Sequence, residues 1–166
     1  MTKIILGAIL AAVAVISMTA VPAMALSPLP YLQIVSSSVS DSPASVSITT
    51  AAPVASGIPS AYGYGVITSN GVLAVTTHKG VGPDSITQVT NQSPVFHTHF
   101  VTLASTGDCA SGLKVASASF NEVGNLKISG DNISITNIDS SVGTLTNAVV
   151  SFTLTLENGN ICVNPQ

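Results

Sequence analysis

Residues 148–157 read Ala-Val-Val-Ser-Phe-Thr-Leu-Thr-Leu-Glu, and from Val150 onward apolar and polar residues alternate. Successive side chains of a β-strand point to opposite faces, so a two-residue period marks a strand with unlike sides. The alternation assigns Ala148, Val150, Phe152, Leu154 and Leu156 to a core face, and Ser151, Thr153, Thr155 and Glu157 to water. Shorter runs of β-type residues recur at near-regular spacing, at 65–69, 72–78, 95–104, 113–120, 126–129, 133–138 and 161–163. Turn residues separate them. Asn70-Gly71 is the strongest two-residue hairpin signal in the chain, and Gly130-Asp131-Asn132 and Asn158-Gly159 act in the same way. Strands this short, broken this regularly, predict an all-β domain. The expected architecture is an antiparallel β-sandwich, immunoglobulin-like or jelly-roll-like, with an extended N-terminal segment. Aromatic residues are only 4% of the chain, so Val, Ile and Leu must build most of the core.

The N-terminus follows different rules. Lys3 is followed by an almost unbroken apolar run over residues 4–16, and Ala23-Met24-Ala25 has the small-x-small pattern of a signal-peptidase site. Ser17, Thr19 and Pro22 interrupt the second half of the run, which is barely long enough to span a bilayer. The expected organisation is a signal peptide over 1–25, a Ser/Thr/Pro/Ala-rich segment over 26–60 and the β-sandwich domain over 61–166. With its Ile/Ala/Val-rich core and Pro-Ala-Met-Ala ending, the leader resembles those of secreted proteins of ammonia-oxidising archaea. That resemblance covers the leader alone and implies an exported archaeal protein. The 26–60 segment carries a single charge, Asp41, and five prolines. It reads as a linker, except that residues 31–35 and 46–50 have strand character. Those stretches are candidate edge strands, or donor strands for self-association with a neighbouring subunit.

Charge narrows the function. Beyond the leader there are three lysines, no arginine and seven acidic residues. Nucleic acids and anionic membranes both select basic clusters, so neither is an expected partner. No membrane span is expected after cleavage. Ser, Thr, Asn and Gly supply the polar surface, a palette suited to a secreted or cell-surface location. Asn132-Ile-Ser134 is a candidate glycosylation sequon, and Asn91-Gln-Ser93 is a poorer one because Pro94 follows. Cys109 and Cys162 remain after export, and an oxidising compartment turns an even pair into a disulfide. It would close a loop of about 54 residues.

The chemistry available is concentrated in three histidines, His78, His97 and His99. In a strand His97 and His99 share a face, and Phe96 and Phe100 occupy the other. The two aromatics mark their side as the core, which puts the imidazoles outside or in a cleft. Pairing residue 76 with residue 97 would bring His78 to the same face as His97 at diagonal distance. The loop over 79–94 carries Asp84, a possible further oxygen ligand or an acceptor for an imidazole N–H. Three neutral imidazoles on a rigid sheet suit copper or zinc. All three methionines lie in the first 24 residues, and bridged cysteines provide no thiolate. A blue-copper centre is therefore disfavoured. No Gly-x-Ser-x-Gly elbow accompanies the serines, and the acids are scattered. Tyr62-Gly63-Tyr64-Gly65 reads as close packing rather than a phosphate loop. The leading expectation is a secreted, non-catalytic β-sandwich protein that binds a transition metal through its histidines. The alternatives are a structural subunit of a fibre, pilus or surface layer and, more weakly, a metal-dependent enzyme.

Overall fold

Among the described residues, ten strands, all paired antiparallel, form two sheets that pack against each other. The computed structural model describes residues 29–54, 61–77, 81 and 96–166. The first sheet has four strands in the order β1-β2-β8-β7, namely β1 (Ile34–Asp41), β2 (Ala44–Thr50), β7 (Asn125–Ser129) and β8 (Asn132–Thr136). The second comprises β3 (Tyr62–Thr68), β4 (Val72–Thr77), β5 (His97–Ser105), β6 (Leu113–Ala118), β9 (Leu145–Glu157) and β10 (Asn160–Pro165). It closes on itself in the order β10-β6-β5-β4-β3-β9, so the thicker layer of the sandwich is a six-stranded barrel.

The 26–60 region contributes half of the first sheet. Residues 34–50 form a β1–β2 hairpin around Ser42 and Pro43, and β2 pairs with β8 from Ser45↔Thr136 to Thr49↔Asn132. A side-chain oxygen of Asp41 accepts the Leu145 N–H at the start of β9 and ties the hairpin to the barrel. The hairpin therefore completes the sheet of its own chain, with β1 at the edge and β2 inside.

The main core lies between the layers. Val46 and Ile48 of β2 and Ile133 and Ile135 of β8 face Tyr62, Tyr64 and Val66 of β3 and Leu73 and Val75 of β4. Phe96 and Phe100 pack against the same cluster, so the aromatic side of β5 is the core side. Its intervening residue, Thr98, is fully buried, and its hydroxyl oxygen accepts the Val123 N–H at 3.0 Å. The Tyr64 hydroxyl donates to the Tyr31 carbonyl. Burial, with the neighbouring Tyr62 and Tyr31 phenols, pushes Tyr64 well above the ordinary tyrosine range.

A second, smaller cluster fills part of the barrel lumen, with Ala74, Val101, Phe152 and Val163 at its centre and Leu113, Val115 and Leu154 against them. The wall of β3, β4 and β5 is thus buried on both sides. This explains why Val72-Leu73-Ala74-Val75 is continuously apolar instead of alternating. The assignment of faces in β9 needs one correction. Val150, Phe152 and Leu154 do face the lumen, but Ser151 is buried opposite Tyr64, and Ala148 and Leu156 are exposed. Both sides of β9 are covered at Ser151 and Phe152, whereas Ala148 lies at the register shift against β3 and Leu156 near the hairpin that leads to β10.

Candidate functional site

β4 and β5 pair in the register Thr76↔His97, Ala74↔His99 and Val72↔Val101. This is the register in which residue 76 opposes residue 97. His97 and His99 project from the same face, with ring centroids 4.6 Å apart and planes at 83°. That face is the lumen side, and both residues are buried. The Nδ1 of His99 lies 2.7 Å from the Ser119 carbonyl oxygen. A carbonyl can only accept, so Nδ1 carries the proton, and in the neutral ring the Nε2 holds the lone pair. His78 and Asp84 lie outside the described residues, as does Asn91. Among the described residues no group of three His, Cys, Asp or Glu side chains converges.

Cys109 and Cys162 are joined by a disulfide, with Cα atoms 5.6 Å apart. Its position is instructive. β10 meets β6 at one ladder pair, Cys162↔Lys114, whereas it pairs with β9 along its whole length. The bridge runs from β10 to the loop between β5 and β6, across the thinnest seam of the barrel. Other contacts reinforce the same corner. The Ala110 N–H donates to Glu157 at 2.9 Å, and the Lys114 ammonium donates to the Asn160 side-chain oxygen at 3.2 Å. Asn132 lies exposed at the start of β8, where its side-chain oxygen accepts from Thr49 at 3.1 Å.

The feature that the sequence did not announce is the lumen itself. It holds a cavity of about 480 Å³. The wall is aliphatic: Val72 and Ala74 from β4, Val101 and Leu103 from β5, Leu113 and Val115 from β6, Val150 and Leu154 from β9, and Ile161 and Val163 from β10. Phe152 is the large aromatic inside it. Three of its lining positions, Ala74, Ala116 and Ala118, carry only a methyl. Gly63 and Gly65 alternate with the two core tyrosines, so β3 presents phenols to the inter-sheet core and bare backbone to the lumen. A Cβ on Gly63 would come within 2.2 Å of the Val75 carbonyl oxygen and 2.9 Å of the Phe152 ring. The Gly/Tyr run therefore provides close packing around Phe152.

The mouth of the cavity is defined by those lining residues that are also exposed. These are Leu103, Ala116, Ser117, Ala118, Phe120 and Pro165, which fall on β5, on and just after β6, and at the end of β10. The opening therefore lies along the sparsely paired β6–β10 side. Phe120, 68% exposed, sits at the rim. The one sequence signal for this site was the two-sided apolar character of β4 combined with glycines in β3. Neither points to a closed barrel without the β10–β6 pairing.

No family model, no curated protein and no solved structure matches this chain.

Proposed function

We propose that this chain is an exported, non-catalytic binding protein that takes a small hydrophobic molecule into its barrel. The observation that carries this reading is the 480 Å³ aliphatic cavity with its mouth at the β6–β10 seam. Ligand sites are concave, largely apolar and preformed, with volumes of roughly 300–1,000 Å³. Small barrels that hold one ligand use their lumen in this way. The leader and the disulfide support export. Water gains little in an aliphatic cavity, so an apolar guest displaces it favourably. The test is titration of the purified mature protein with the neutral dye Nile red, read by its fluorescence. Saturable binding near one equivalent is expected. Ala118→Trp, at an exposed lining position that pairs with inward-facing Val101, should weaken it at least tenfold. Absence of saturable binding, or indifference to that substitution, would refute the reading.

A copper or zinc site at the histidines is a second reading, favoured by one observation. His97 and His99 share a face, and His99 donates its Nδ1–H to a backbone carbonyl, the outer-sphere arrangement typical of a metal-ligating imidazole. Calorimetry with Cu(II) or Zn(II) should then show about one equivalent bound, abolished by His97→Ala. A fibre or surface-layer role through donated strands has less support, because residues 34–50 are paired within their own chain.

A further inference from the structure

We infer that the molecule held in the barrel is electrically neutral, of the class of uncharged long-chain lipids such as alcohols, esters and isoprenoid hydrocarbons, and not a fatty acid or other ionised amphiphile. This inference rests on the proposed hydrophobic-ligand reading and narrows it.

Two observations carry it. First, no Lys, Asp or Glu is among the described lining residues, so none of them sets a carboxylate or an ammonium opposite a charged head. Transfer of an unpaired charge into such a site carries a large desolvation penalty. Second, the polar side chains of the lining already have partners within the protein. The Thr76 hydroxyl donates to the Tyr62 carbonyl at 2.9 Å. The Ser119 hydroxyl donates to the Asn121 carbonyl at 2.9 Å, and Ser117 shares a 2.6 Å hydrogen bond with Thr102. His99 is bound to the Ser119 carbonyl. A charged head entering the cavity would have to break these bonds or go without compensation. A ligand whose binding energy comes from apolar area alone disturbs none of them.

The shape of the mouth agrees with this selection. Apart from Ser117, its described rim residues are Leu103, Ala116, Ala118, Phe120 and Pro165, apolar groups that solvate a hydrocarbon better than an ionised head.

The experiment uses one chain length with three heads, namely dodecanol, methyl dodecanoate and dodecanoate. Each is titrated against Nile red bound to the wild-type mature protein at pH 8, the two neutral compounds below their solubility limits and dodecanoate below its critical micelle concentration. Dodecanol and methyl dodecanoate should displace the dye at concentrations at least tenfold lower than dodecanoate. Dodecanoate displacing as well as either neutral compound would overturn the inference while leaving the hydrophobic-ligand reading intact. Failure of Nile red itself to bind would overturn both. Ala118→Lys, at the exposed lining position that pairs with inward-facing Val101, supplies the missing cation. It should improve dodecanoate relative to dodecanol at least fivefold, and no gain in that ratio would count against the argument from charge.

Discussion

Gly63→Ala tests the barrel wall at its tightest point. The new methyl would stand 2.2 Å from the Val75 carbonyl oxygen, 2.8 Å from the Thr76 Cβ and 2.9 Å from the Phe152 ring. The first of these is a backbone atom in the neighbouring strand, fixed by the β3–β4 ladder. It cannot rotate away, so the strands must separate locally or the ladder must shift. Overpacking of a well-packed site costs roughly 1–3 kcal/mol, and a backbone clash belongs at the upper end. Against this, alanine restricts the unfolded chain and returns about 0.4–1 kcal/mol. Neither Gly63 nor Gly65 has a positive φ, so no left-handed strain adds to either substitution. The expected net loss for Gly63→Ala is about 2 kcal/mol. Gly65→Ala is the internal control. Its Cβ meets a Val72 methyl at 2.9 Å and then only ordinary contacts at 3.6 Å. A side-chain methyl can yield, so its net effect should lie within about 1 kcal/mol of zero. Urea denaturation followed by far-ultraviolet circular dichroism measures both. With a slope of about 2 kcal/mol per molar, Gly63→Ala should lower the midpoint by roughly 1 M. Equal midpoints for the two variants, or a lower one for Gly65→Ala, would refute the packing argument.

Three further predictions concern the rest of the frame. Cys109→Ser with Cys162→Ser opens a loop of about 54 residues, and the chain-entropy model assigns that closure about 4 kcal/mol; the urea midpoint of the double variant should fall accordingly, and an unchanged midpoint would show that the seam does not depend on the bridge. Tyr64→Phe leaves the half-buried Tyr31 carbonyl without its phenolic donor and should cost about 1–2 kcal/mol, whereas the lost oxygen alone would be nearly silent at an exposed site. Asp139 is held below its ordinary value of 3.8 by the Ser141 N–H, and Glu157 below 4.5 by the Thr155 hydroxyl and then the Ala110 N–H. A carboxylate with a depressed folded pKa contributes stability above its unfolded value and loses it as pH falls through the folded one. The urea midpoint should therefore decline as pH drops below about 4, and Asp139→Asn with Glu157→Gln should flatten that decline.

Local order was readable in the sequence because it is carried by local signals. Asn70-Gly71 sets the β3–β4 hairpin, and Asn158-Gly159, with both residues at positive φ, sets β9–β10. The Thr76↔His97 register was one of those open to the sequence, since placing Phe96 and Phe100 towards the core fixes only its parity. Barrel closure is different in kind. It depends on β10 reaching β6 at Cys162↔Lys114, a contact that no periodicity encodes. The same gap explains the misassigned faces of β9. Alternation separates two sides of a strand, but it cannot say that Ser151 will be covered by Tyr64 or that Leu156 will emerge at an open corner. The 26–60 region was ambiguous for a related reason. Its composition suits a linker; β1 and β2 pair locally with each other, but the hairpin joins a sheet only when β8 arrives from 83 residues away at Thr49 and Asn132.

The distribution of large side chains ties the fold to the cavity. Of the seven aromatic residues, Tyr31, Tyr62, Tyr64, Phe96 and Phe100 all pack in the core between the layers. Only Phe152 and Phe120 border the lumen, the second at its rim. Bulk is therefore spent on joining the two sheets. The inward positions are left to Gly63, Gly65, Ala74, Ala118 and branched aliphatics. A barrel built only for stability would fill its interior to the density of other protein cores, since unfilled apolar volume forfeits contacts on every wall. Here the fold keeps that space while guarding the seam beside it with a disulfide, a carboxylate–amide bond and a lysine–asparagine bond. Reinforcement beside a retained void is what the proposed binding role would require, since the open region forgoes packing that other contacts must replace.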